Sequence, residues 1–145
     1  MIIIRGATDA DMPLVGKLFR DASYPDQLVD WARPNLAPYW LVAAQDDEIV
    51  GAVQVVGSQP YGFIGEIVVH PSVRGKRSDG SGALSSARPG SVGYRLYQAA
   101  LRALEGMHVQ VVYGFVSNEL KGLQRVMGHY ATDLAEGHLY GRRLT

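Results

Sequence analysis

Two stretches of the chain hold residues whose types and spacing could do chemistry. The first, Ile64-Gly65-Glu66-Ile67-Val68-Val69-His70-Pro71-Ser72-Val73-Arg74-Gly75-Lys76, is an apolar run that ends at a proline and then turns basic. The second, Ser91-Val92-Gly93-Tyr94-Arg95-Leu96-Tyr97, has small residues leading into helical periodicity. A strand that ends in basic and glycine residues and then feeds a helix N-terminus makes an anion site. Unpaired backbone N–H groups and the positive end of the helix dipole converge there. Phosphate is the expected guest, held by N–H groups around Ser91, Val92, Gly93 and Tyr94 with Arg74, Gly75, Lys76 or Arg88. A nucleotide-triphosphatase loop is excluded, because Gly75-Lys76 is followed by Arg77 rather than Ser or Thr and His70 stands where the first glycine would be. Glu66 is the general-base candidate, since a carboxylate in an apolar strand is costly unless solvated, paired or used, and burial would raise its pKa toward neutrality. Strand alternation puts Val68 and His70 on its face and Ile67 and Val69 on the other. His70, just before Pro71, reads as structural. The four histidines show no metal-ligand spacing, so no metal is expected.

These groups need elements to hold them. Ile2 to Arg5 is a β-branched run suited to a first strand. Thr8 or Asp9 offers a helix N-cap, and Val15, Leu18, Phe19 and Ala22 follow helical spacing up to the Tyr24-Pro25 break. A second short helix is expected from Asp26 to Ala32. Tyr39 to Ala44 and Ile49 to Val56 flank the polar turn Gln45 to Glu48 as a hairpin, and Phe63 to His70 is the third strand of this meander. Val92, Leu96, Ala100, Ala103 and Leu104 define an amphipathic helix to Glu105, closed by Gly106. Val109 to Phe115, apolar on both faces, suits a parallel or central strand. Strand, helix and strand in this order form a crossover unit with the phosphate loop at the carboxyl end of its first strand. Ser117 or Asn118 caps a further helix stopped by Gly128. Two closing strands then run over Tyr130 to Leu134 and His138 to Leu144.

The run Val69-His70-Pro71-Ser72-Val73-Arg74-Gly75-Lys76, rejoined to Val92-Gly93-Tyr94-Arg95-Leu96-Tyr97-Gln98-Ala99-Ala100-Leu101, resembles the central motif of the GNAT superfamily of acyl-CoA-dependent N-acyltransferases. It departs from that motif in the fifteen residues Arg77 to Ser91, where the family has a single glycine. A second partial copy, Arg88-Pro89-Gly90-Ser91-Val92-Gly93, keeps the family spacing against the helix, which leaves Arg74 and Arg88 both open as the phosphate ligand. The insertion has three glycines and five serines. It reads as a mobile excursion, either a lid or a block to binding. The resemblance covers nearly the whole chain and implies an α+β (α/β) fold: a mixed, mostly antiparallel central sheet of about seven strands with about four helices, in the order β-α-α-β-β-β-α-β-α-β-β. It implies an N-acetyltransferase that moves an acetyl group from acetyl-CoA to a primary amine by direct attack in a ternary complex. The sheet would splay beyond His70 to admit the pantetheine arm, and backbone N–H near Val68 or Val69 would polarise the thioester. Asn118 matches a polar residue near that arm. The family's usual tyrosine acid is replaced by Gln124, which makes Tyr130 the candidate acid, with Tyr113 and Tyr140 as alternatives. A non-catalytic CoA-binding or protein-interaction module on the same fold is the second reading.

Length and composition set the outer bounds. At 145 residues, 47% of them hydrophobic and 19% charged, the chain suits one globular domain with a real core. Lys plus Arg equals Asp plus Glu at 14 each, so no net field draws in nucleic acid or an anionic membrane. The absence of cysteine excludes disulfides, thiolate metal sites and a thiol nucleophile. With no apolar run near the ~20 residues needed to cross a bilayer and no signal-peptide layout at Met1 to Arg5, a cytoplasmic location is expected. The expected partners are acetyl-CoA and an amine whose identity the residues leave open, with no nucleic acid and no membrane. A homodimer is compatible with the sequence.

Overall fold

The computed structural model describes residues 1–23, 39–73 and 91–114. The chain starts with β1 (Ile2–Gly6), passes through a 3-10 turn (Asp9–Asp11) and enters α1 (Met12–Asp21). It resumes with the strands β2 (Trp40–Gln45), β3 (Glu48–Ser58) and β4 (Tyr61–Val69). A 3-10 turn (Pro71–Val73) ends this part, and α2 (Val92–Gly106) and β5 (Val111–Gly114) complete the described residues. The five strands lie in the order β1-β2-β3-β4-β5, antiparallel except for the parallel pair β4 and β5.

Most of the elements expected from the sequence appear within a residue or two of their bounds. The first helix opens later than expected: Thr8 and Asp11 form a capping box on the 3-10 turn, and the α-helix begins at Met12 with Pro13 in its first turn. Asp11 Oδ2 accepts the Thr8 N–H at 2.7 Å and is bridged by Arg5 at 2.7 Å, tying β1 to the start of the helix. Gly106 is the last helical residue rather than the one beyond it, and Met107 caps the end. The expected helix Asp26 to Ala32, the helix after Asn118 and the closing strands Tyr130 to Leu134 and His138 to Leu144 lie outside the described residues. So does the excursion Arg77 to Gly90. Among the described residues the count is therefore five strands and two α-helices.

The core forms two layers, one on each face of the sheet. Val15, Leu18 and Phe19 of α1 pack on Trp40, Val42, Ala52 and Val68. Val92, Leu96, Ala100 and Leu104 of α2 pack on the other face against Ala43, Val50, Val53, Val55, Ile64, Ile67 and Val69. Helical spacing in α1 and α2 and two-residue alternation in the strands produce these two surfaces directly. Gly51 lets α2 come close, because a Cβ there would stand 2.8 Å from Leu96 Cδ1 and 3.1 Å from Val92 Cγ1. Gly51 is also the register partner of Val69, so the first turn of α2 rests over the carboxyl end of β4.

The sequence reading placed Val109 to Phe115 as a strand with both faces apolar. β5 is parallel to β4 as expected, and Val112 packs toward α2, but Tyr113 is 46% exposed and its ring meets that of Tyr61 at 5.9 Å. Among the described residues β5 is the end of the sheet.

Candidate active site

The alternation of β4 breaks at one point. Val53 of β3 pairs with Ile67 and Val55 pairs with Ile64, so Gln54 on β3 faces two residues, Gly65 and Glu66. This is a β-bulge. Its effect shows in the core: Ile64 and Ile67, three positions apart, both pack toward α2, which a regular strand would forbid. Gly65 is required here, since a Cβ would lie 2.9 Å from Gln54 Cβ and closer still to Gln54 Oε1. A glycine inside a strand is a bulge signal that the sequence carried and that simple alternation overlooked.

Glu66 follows the bulge and shares the α1 face with Val68, as alternation predicted. It is 4% exposed, and its Oε2 is buried with no hydrogen-bond partner among the described residues. Burial pushes its pKa up, because the charged form loses solvation without gaining a compensating donor. A carboxyl held this way is a stronger base once ionised than an exposed one. It is also costly to the fold, which makes a purely structural role hard to sustain.

The second half of the site is the front of α2. Ser91 is the N-cap, and its Oγ accepts the Tyr94 N–H at 3.2 Å. The Ser91 carbonyl accepts the Arg95 N–H at 3.0 Å, the first helical bond. Ser91 and Tyr94 are thus engaged in the cap. The N–H groups of Val92 and Gly93, the first two helical positions, have no intrahelical acceptor, and no described residue accepts from them. Of the four residues proposed from sequence, these two carry the donors suited to an anion. The Tyr94 side chain turns elsewhere: its hydroxyl accepts from Gln98 Nε2 at 3.0 Å. Tyr94 also lines, with Arg95, Gln98 and Arg102, a cleft of about 580 Å³ against β1 that lies apart from Glu66.

The remaining sequence candidates divide by position. The His70 N–H donates to the Val50 carbonyl at 2.8 Å, so alternation directs the Val68 N–H toward β3 as well and the Val69 N–H toward the opposite edge of β4. The β4–β5 pairing runs from Tyr61 to Ile64 only. His70 is structural, as expected: its Nδ1 accepts the Ser72 N–H at 3.1 Å and lies 2.6 Å from Ser72 Oγ, while Nε2 stands 3.8 Å from Asp21 Oδ2. Arg74, Gly75, Lys76, Arg88, Asn118 and Tyr130 lie outside the described residues. Two residues that the sequence reading did not single out stand beside Glu66 on the α1 face. Trp40 is 1% exposed with its Nε1 unpartnered among the described residues, and Gln54 is half-buried against Gly65. A lone glutamine between Val53 and Val55 was the available signal.

Residues 7–77, just under half of the chain, match the model of the Acetyltransferase (GNAT) family. Comparison with curated protein sequences gave no match. Among solved structures, a PaiA N-acetyltransferase from Thermoplasma acidophilum in complex with coenzyme A superposes with a TM-score of 0.70 at 11% identity, over 95% of this chain and 93% of that one. A ribosomal-protein-alanine N-acetyltransferase from Brucella melitensis biovar Abortus 2308 gives 0.67 at 16% identity, over 99% and 100%. An aminoglycoside N-acetyltransferase in complex with CoA gives 0.65 at 19% identity, over 99% and 95%. Residues 7–77 thus match the model of the Acetyltransferase (GNAT) family, and the fold is that of GNAT acetyltransferases.

Proposed function

We propose that this protein is an N-acetyltransferase that moves an acetyl group from acetyl-CoA to a primary amine by direct attack in a ternary complex. The observation that carries this reading is the placement of two opposed groups about the carboxyl half of β4. The N–H groups of Val92 and Gly93, which no described residue accepts from, stand on the α2 side, and the buried carboxyl of Glu66 stands on the α1 side. The donor and the acceptor would approach from opposite faces and meet at β4. The family match and the CoA-bound structures of similar fold support the choice of donor.

The residues present fit such a donor. Two amide hydrogens at a helix start, with the positive end of a 15-residue helix behind them, suit a diphosphate. Arg74, Lys76 or Arg88 would add charge, and Asn118 a polar contact to the pantetheine arm. Bound acetyl-CoA supplies an activated thioester carbonyl. Glu66 accepts a proton from the incoming ammonium, directly or through water, and the neutral amine forms the new C–N bond as the C–S bond breaks. Tyr130 is proposed to give its hydroxyl proton to the departing sulfur and to regain one from the acylated nitrogen, which sheds its second proton as the amide forms. Alignment of the two reactants supplies much of the rate, so the chemistry depends less on the acid than on the position of the amine.

Thiol release from acetyl-CoA across a panel of primary amines tests this reading. Amine-dependent release that falls in Glu66→Gln is the expected result. Binding of acetyl-CoA without release by any amine would instead support a non-catalytic CoA-binding module.

A further inference from the structure

On the sheet face covered by α1, three polar side chains stand in one row across adjacent strands. Trp40 of β2 is the register partner of Gln54 of β3, and Gln54 faces Glu66 in the β4 bulge. Their neighbours on that face, Val42, Ala52 and Val68, are wholly apolar. Trp40 Nε1 and Glu66 Oε2 are both buried, and neither has a partner among the described residues. One is a pure donor and the other an acceptor when ionised, so the two are complementary rather than duplicated. The edge-on packing of Phe19 against Trp40, with centroids 5.8 Å apart at 85°, fixes the indole ring without serving its N–H. Gln54 adds an amide that makes no hydrogen bond with any described residue. Buried polar atoms are nearly always satisfied, and two orphans in one row call for a guest that completes them.

We propose that the row Trp40–Gln54–Glu66 is the floor of the acceptor site and selects primary amines that carry neutral, hydrogen-bond-accepting oxygens over simple alkyl amines. The proposal rests on the acyl-transfer reading above. The amine sits at Glu66, a hydroxyl or carbonyl oxygen accepts from Trp40 Nε1, and the Gln54 amide contacts the atoms between. Two strand spacings separate the ends of the row, roughly 10 Å, so the acceptor extends beyond the reacting amine. Hydroxyl-bearing amino sugars and peptide N-termini share this chemistry, whereas an alkyl amine leaves the indole N–H unpaired.

The test has two readouts on the whole chain. ¹⁵N-labelled protein in the presence of CoA is titrated with a tripeptide amide, with glucosamine and with hexylamine. The Trp40 indole N–H resonance, assigned through Trp40→Phe and Trp31→Phe variants, should move with at least one oxygen-bearing amine and stay in place with hexylamine. The amine that moves it identifies the source. In the thiol-release assay, the ratio of kcat/KM for that amine to kcat/KM for hexylamine should fall about threefold to tenfold in Trp40→Phe and in Gln54→Leu, mainly through KM. An indole resonance unmoved by saturating oxygen-bearing amine, or moved equally by hexylamine, overturns the proposal; so does an unchanged ratio in both variants, which would mark a purely structural Trp40. A responsive indole with no thiol release from any amine would retain the row and reject acyl transfer. Amine-dependent release with a silent indole would do the reverse.

Discussion

Glu66 concentrates the physical tension in this molecule. Its folded-state pKa is raised, so the folded chain holds the Glu66 proton more tightly than the unfolded chain does. Stability from this group therefore declines as pH rises from the unfolded value, near 4.5, through the higher folded value. The ionised carboxyl opposes folding, and under the proposed function it is this form that would serve as a base. Replacing it with glutamine should then separate the two effects: the melting temperature at pH 7 rises, while kcat falls by about two orders of magnitude or more. The same variant should lose the acid limb of the pH–rate profile, whose midpoint in the native protein lies above 4.5. A melting temperature that drops instead, measured by calorimetry, would mean that Glu66 is held by a stabilising contact. Much of this was legible in the sequence, because a single carboxylate among Ile64, Ile67, Val68 and Val69 has few inexpensive explanations. Trp40 and Gln54 were not, since their importance lies in which strands become neighbours, and composition does not encode register.

At the level of elements, the β4 bulge and the cap of α1 show where local pattern fails and where it holds. Alternation placed Glu66 correctly relative to Val68 but was silent on Ile64, because the extra residue at Gly65 resets the faces. Gly65→Ala should disturb the bulge: the new methyl meets Gln54 near its own Cβ, which no rotamer change can remove. Loss of activity larger than the accompanying loss of stability is expected, since Glu66 is aimed by the bulge. Equal activity in the variant would disconnect the bulge from the site. The capping box around Asp11 was only half legible, with Thr8 seen as a cap and the Arg5 bridge unseen, because ion pairs between elements follow from packing. The Arg5 guanidinium, with the Thr8 N–H and hydroxyl, holds the Asp11 carboxyl well below the usual carboxylate range. Its contribution is therefore complete above the unfolded value of about 3.8 and is lost as pH falls below it. Asp11→Asn should cost about 1–3 kcal/mol at neutral pH. In urea titrations the gap between variant and native protein should narrow as the pH is lowered below 3.8.

The architecture as a whole was the most legible feature, because element order, two-residue and helical periodicities and the crossover through α2 agree with one another. Of the roughly seven strands and four helices that the pattern implied, the described residues hold a five-stranded sheet with a helix on each face and the parallel pair β4 and β5. The start of α2 was legible in the sequence and the partners in its cap less so. The Ser91 hydroxyl and the Tyr94 N–H serve the cap, which leaves Val92 and Gly93 as the proposed donors. The most direct test compares acetyl-CoA with acetyl-pantetheine, which carries the same thioester but no diphosphate, by isothermal titration of the intact protein. Saturable heat with acetyl-CoA and binding weaker by at least about tenfold with acetyl-pantetheine, a difference of about 1.4 kcal/mol, is the predicted result. No heat with acetyl-CoA, or equal affinity for the two, would contradict it.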